Sequence, residues 1–149
     1  MALGYDRSEG SRHAARWAAN ELSGGGKLVI VYACRGQHVP PSPLSSTDER
    51  REMGRAILDE LMLDGDDALF DIDLEMQVSD QDPAAALMEA ARRHDARAIV
   101  LGAKSHSRLG EALGTVTTEL LHRSPVPVIT VPLSAPAVGR PLMQSAAAE

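Results

Sequence analysis

Apolar residues recur along the chain in two alternating periods. Lys27 to Ala33 (KLVIVYA) is a near-continuous apolar run, and Ala98 to Leu101 (AIVL) is a shorter one. Both suit strands buried on two faces of a parallel sheet. Met1 to Tyr5 reads as a short first strand and Val126 to Val131 as a last one. Between them the period changes to that of a helix. Glu9 to Leu22 sets Ala14, Trp17, Ala18 and Leu22 on one stripe, with Ser8 as its N-cap and Gly24-Gly25-Gly26 ending it. Asp48 to Met62 turns Met53, Ile57 and Leu61 inward. A third helix starts at Asp82-Pro83, with Asp82 as cap and Leu87, Ala90 and Ala91 inward, and ends near His94. A fourth opens at Gly114-Thr115 and stops near Arg123, before Pro125 and Pro127.

Phe70 to Val78 alternates strictly. Phe70, Ile72, Leu74, Met76 and Val78 share one face; Asp71, Asp73, Glu75 and Gln77 share the other. That is a half-buried strand of the edge type. Residues 35–47, with Pro40, Pro41 and Pro43, read as a long loop, and Leu63 to Asp67 as an acidic turn. Residues 133–149 carry no period and are expected to be a loosely held tail after a domain of residues 1–132. The order β-α-β-α-β-α-β-α-β predicts an α/β fold, a five-stranded parallel sheet with helices on both faces.

Ligands of such sheets sit beyond the carboxyl ends of the strands. The segments just past those ends are Asp6-Arg7-Ser8, Ala33-Cys34, Val78-Ser79-Asp80 and Gly102 to Ser105, and they are expected to converge on one crevice. The stretch from Ala98 to Val131 reads as strand, glycine-bearing loop, helix, turn and strand. Its loop carries Lys104, Ser105, His106, Ser107 and Arg108 before the first acid, Glu111. A small-residue loop leading into a helix N-terminus offers backbone N–H groups and partial positive charge to an anion. Gly102, Ser105, Gly114 and Thr115 are the candidate phosphate cradle. The plain alternative makes Gly102 a strand terminator and Gly114-Thr115 a helix start. Asp6 offers a carboxylate at the rim or serves only as a turn residue. Lys104, His106 and Arg108 either screen phosphates or face solvent.

This stretch resembles the C-terminal half of universal stress protein domains. Their signature is a glycine, two residues, a second glycine, nine residues, then Gly-Ser or Gly-Thr, followed by a helix and a Pro-x-Pro-Val strand. Gly102 matches the first glycine, Gly114-Thr115 the closing pair, and Ser124 to Val131 the last strand. Ser105 stands at the second glycine, with eight residues between it and Gly114. LGYDRSEGSRHAARWAANEL is similar to the family's opening and DPAAALMEAARRHDARAIVLG to its third helix and fourth strand. The resemblance implies an adenine-nucleotide α-hydrolase-like sheet of strand order 3-2-1-4-5. It implies ATP or another adenine nucleotide, with Mg²⁺ arriving on the phosphates, as a regulatory ligand in stress response. Asp6 would hold the nucleoside and the Ala33 backbone the adenine edge. Gly102, Ser105, Gly114 and Thr115 would hold phosphate. It also implies a homodimer through the last strand, with Val126, Val128 and Thr130 at the contact. The rival reading is a nucleotide-free homodimeric interaction module of the same fold.

Charge sharpens this picture. The net charge of the 149 residues is −6, but residues 45–82 hold 13 acids and 3 bases, while the remainder holds 8 acids and 12 bases. An acidic chain with a basic loop suits a small anion and argues against nucleic acid, which asks for a broad basic face. Cys34 is the single cysteine, so an intrachain disulfide is excluded. The five histidines are scattered without the spacing of a helical metal site. No general base or nucleophile stands out, which leaves at most slow ATP hydrolysis. No leader or membrane span is apparent, so a cytoplasmic protein is expected.

Overall fold

A computed structural model describes residues 1–33, 47–63, 67–103 and 114–136. Five strands alternate with four helices: β1 (Ala2–Gly4), α1 (Glu9–Glu21), β2 (Lys27–Ala33), α2 (Thr47–Leu63), β3 (Asp73–Ser79), α3 (Pro83–Arg93), β4 (Ile99–Gly102), α4 (Thr115–Arg123) and β5 (Val128–Val131). The sheet is wholly parallel in the order β3-β2-β1-β4-β5. The sheet order therefore turns back at β1, and β4 takes the place on its other side.

The sheet buries both faces, so its central strands need apolar residues on both. On one face α1 and α2 cover Leu3, Leu28, Ile30, Tyr32 and Val100, closing over Trp17, Ile57 and Leu61. On the other, Leu87, Ala90 and Ala91 of α3 and Leu120 of α4 cover Ala2, Val29, Val31, Ile99 and Leu101. The second layer is rich in alanine, which lets α3 lie close to the sheet with little side-chain volume between.

Ser8 caps α1 as expected: its Oγ accepts the Ser11 N–H at 3.1 Å. Asp82 occupies the N-cap position of α3, but its side chain makes no capping bond. Pro83, at the first helical position, lacks one of the N–H groups that this terminus would otherwise leave unpaired. The largest departure from the sequence pattern is Phe70. Residues 67–69 form a single 3₁₀ turn, closed by the Phe70 N–H donating to the Asp67 carbonyl at 3.1 Å. The strand therefore begins at Asp73, Leu69 takes the buried place, and Phe70 is 62% exposed. From Ile72 onward the alternation holds, with Ile72, Leu74, Met76 and Val78 packed against the core under α1 and α2.

Residues 133–136, the start of the expected tail, hold a turn in which the Ala135 N–H donates to the Pro132 carbonyl at 2.9 Å. Ala135 packs against the core, and its carbonyl lies 2.6 Å from His13 Nε2 of α1. Residues 137–149 lie outside the described residues.

Candidate functional site

In a βαβ unit the strand rises to the crevice and the following helix starts there. The reversal of strand order between β1 and β4 places that crevice at the ends of these two strands. Asp6 lies two residues past β1, Ala33 ends β2 and Gly102 ends β4. Register confirms the level: Gly4 is opposite Val31 and the Tyr5 N–H donates to the Val31 carbonyl at 3.0 Å. Ala33 is paired with Ser79 at the end of β3. The structure thus brings Asp6, Ala33 and Gly102 to one edge of the sheet, with Ser79 beside them.

Asp6 is held by local chemistry. Its Oδ1 accepts the Ser8 N–H at 2.9 Å, an Asx turn that leads into the helix. Its own N–H donates to Ser11 Oγ at 3.4 Å, and Ser11 Oγ in turn donates to the Ser8 carbonyl at 3.0 Å. Ser11 is buried, so this hydroxyl anchors the turn from below. Partial burial pushes the Asp6 carboxyl up, but hydrogen bonds from the Ser8 side chain and backbone and from Ser11 outweigh it. The net effect holds the group below the ordinary value of 3.8. At neutral pH Asp6 is an ionised acceptor at the mouth of the crevice.

Arg7, between Asp6 and Ser8, has φ 67°, in the left-handed region that a side chain rarely adopts. Its guanidinium sits 5.8 Å from the centre of the Tyr32 ring and 3.0 Å from the Glu60 carboxylate of α2. Both ends of that ion pair are more than two-fifths exposed, so it positions more than it stabilises.

Gly102 has a structural reason to be glycine. A Cβ there would stand 2.1 Å from the Gly10 carbonyl oxygen, and one on Gly10 would stand 2.1 Å from the Ala103 carbonyl oxygen. The first turn of α1 therefore lies backbone to backbone on the end of β4. The sequence reading assigned Gly102 to phosphate approach. The structure shows a packing reason as well: the space a Gly102 side chain would need is filled by Gly10. Gly10 was missed, because only the tertiary approach of α1 to β4 reveals it. Ser11 was missed as well, although the Ser8-x-x-Ser11 spacing at a helix start is a legible signal of the capping-box kind.

Gly114 is the N-cap of α4 and Thr115 its first helical residue. Gly114 has no side chain with which to cap the first-turn N–H groups of this terminus. Being the helix after β4, α4 starts on the crevice side of the sheet. Thr115 does not cap the helix, since Gly114 takes that position. Ser105, Lys104, His106, Arg108 and Cys34 lie outside the described residues. Among the described residues no three His, Cys, Asp or Glu side chains are grouped to hold a metal ion, and no helix is long and apolar enough to cross a membrane.

The sequence matches the model of the Universal stress protein family over residues 1–132. The chain belongs to that family. Solved structures agree. A universal stress protein family member from Burkholderia pseudomallei is 27% identical, with a TM-score of 0.60 over 88% of this chain and 94% of that one. A universal stress protein in complex with cAMP is 26% identical, with a TM-score of 0.57 over 89% and 95%. One from Archaeoglobus fulgidus in complex with dAMP is 20% identical, with a TM-score of 0.55 over 87% and 94%, a likeness of fold. No curated protein matched the sequence. Relatives of this fold thus hold adenine nucleotides.

Proposed function

We propose that this universal stress protein domain binds ATP or another adenine nucleotide in the crevice as a regulatory ligand in stress response. The observation that carries the reading is the Asp6 carboxylate. It is held ionised by Ser8 and Ser11 at the reversal between β1 and β4. A carboxylate there accepts hydrogen bonds from the hydroxyls of a nucleoside. The Ala33 backbone at the end of β2 meets the adenine edge. The start of α4 at Gly114 and Thr115, together with Ser105 and the backbone at Gly102, receives phosphate. The family's cAMP-bound member supports an adenine ligand. Mg²⁺ arrives with a nucleoside triphosphate, held mainly by its phosphates. Among the described residues around Asp6 no general base is paired to a nucleophile, and binding rather than turnover is the expected activity.

Calorimetric titration with ATP and Mg²⁺ tests this on the wild type and on Gly114→Val, whose fold is checked by circular dichroism. Saturable heat in the micromolar range, lost in the variant, is expected. Absence of heat and of thermal shift in the wild type at millimolar ATP would remove the nucleotide reading and leave the interaction module.

The second element of the proposal is a homodimer. β5 is at the open edge of the sheet, with Thr130 exposed and Val128 and Ile129 half-buried. Leu121 of the preceding helix is 56% exposed. An apolar edge strand of this kind is a liability unless covered. Pairing through Val126, Val128 and Thr130 covers it; a monomer by light scattering at micromolar concentration would oppose it.

A further inference from the structure

The other edge of the sheet is different in chemistry. β3 is paired on one side only: its seven residues lie parallel to Lys27–Ala33, and no described strand lies beyond it. A parallel strand directs alternate backbone groups to each side, so about half of those in β3 face outward. Such an open row is a template for another strand.

A cleft of about 510 Å³ runs along this edge, between α2 and β3. Gly54 brings the two together. A Cβ on it would stand 3.2 Å from Val78 Cγ2 and 3.4 Å from Met76 Cγ. Arg50, Arg51, Arg55 and Arg93 line the cleft, against one carboxylate, Glu75. That carboxylate is already engaged by Lys27 at 2.5 Å and His94 at 3.5 Å. Residues 45–82 are the most acidic part of the chain and contain 3 bases, and all of them are these α2 arginines. Arg50 pairs with Asp80 at 2.7 Å, Arg93 with Glu89 at 2.6 Å and Arg51 with Asp48 at 3.4 Å. Arg55 makes no ion pair among the described residues. The cleft also holds a buried acceptor, Gln77 Oε1, with no hydrogen-bond partner among the described residues.

An occupant must therefore bring three things: negative charge for the guanidiniums, acceptors for the outward N–H groups of β3, and donors for its carbonyls and for Gln77. A phosphate chain brings the first two and no regular row of donors. An extended peptide with acidic side chains brings all three. The spacing agrees: Arg51 and Arg55 are four residues apart on α2, about 6 Å along the helix. Side chains two apart on one face of a strand repeat every 6.6 Å or so. We infer that the open edge of β3 docks an extended acidic peptide as a sixth strand, with alternate carboxylates on Arg51 and Arg55. This recognition is β-augmentation with charge selection.

The test uses the full chain and a fluorescein-labelled octapeptide of alternating Glu and Val, read by fluorescence anisotropy. Saturable binding is expected. It weakens ten-fold or more when Lys replaces Glu, when the edge-facing amides are N-methylated, and in the double variant Arg51→Glu with Arg55→Glu. Both arginines are exposed, so the double variant folds, as circular dichroism would verify. Nucleotide binding at the crevice stays unchanged in it, which separates this inference from the proposal above. Binding indifferent to N-methylation, equal displacement by single-stranded DNA, or no saturable binding would each overturn it.

Discussion

The end of β4 and the edge of β3 are both places where a helix lies against the sheet through a glycine, yet they are built oppositely. At the end of β4, Gly102 meets backbone: the Gly10 carbonyl fills the space a Cβ would need. At β3, Gly54 meets side-chain atoms, Val78 Cγ2 and Met76 Cγ, at ordinary to tight contact distance. Backbone cannot yield without moving a whole element, whereas a side chain can change rotamer. The junction of α1 and β4 is therefore fixed in shape, and the β3 edge is adjustable, open on one side and lined by long charged side chains. A fixed wall suits a small rigid ligand; an adjustable edge suits a chain.

Alanine at the two glycines should separate them most clearly. Gly102→Ala forces α1 away from β4 and is expected to cost at least about 3 kcal/mol, with loss of nucleotide binding. Gly54→Ala gains helix propensity against a tight contact and should stay within about 1 kcal/mol of the wild type. Urea denaturation of both checks this, and equal costs would break the contrast. Next in size is Ser11→Ala. It removes the buried hydroxyl that ties the Asp6 turn to α1, and should cost about 1–2 kcal/mol and weaken nucleotide binding while leaving the β3 edge intact.

A gain is expected away from both sites. α3 ends in a Schellman arrangement: the Ala96 N–H donates to the Ala91 carbonyl at 2.9 Å and the Asp95 N–H to the Arg92 carbonyl at 3.4 Å. Asp95 therefore sits in the left-handed region, at φ 49°. Asp95→Gly should raise stability by about 1 kcal/mol by relieving that strain and removing an acid from a helix C-terminus. The smallest effect concerns pH. The folded-state pKa of Asp6 is lowered, so its contribution to stability is complete above its unfolded value. It is lost as pH falls below 3.8 through the folded value. Asp6→Asn should lower stability near neutrality, where that contribution is complete, and flatten the pH dependence in that window.

Much of the architecture was legible because burial leaves a period in the sequence. The continuous run at Lys27 to Ala33 could only be a central strand, and the alternation from Ile72 to Val78 only an edge-like one. Phe70 misled because alternation in the sequence continues back past the strand start at Asp73 to the end of a 3₁₀ turn, where the face no longer has meaning. The placing of the candidate site was legible in part. Asp6 and Ala33 follow from where strands end, and Gly114 from where a helix begins. Gly10 was not, because a glycine in the first turn of a helix looks dispensable until another backbone is seen against it. Ser11 was signalled by its spacing from Ser8, and its burial shows how it anchors the turn.

The most direct measurement is a backbone-amide NMR titration of the wild type with ATP and Mg²⁺. Saturable shifts are expected at Asp6, Ser8, Ala33, Ala103 and Thr115, with the amides of Asp73 to Val78 unmoved. Shifts confined to β3 and α2, or none at saturating nucleotide, would contradict it.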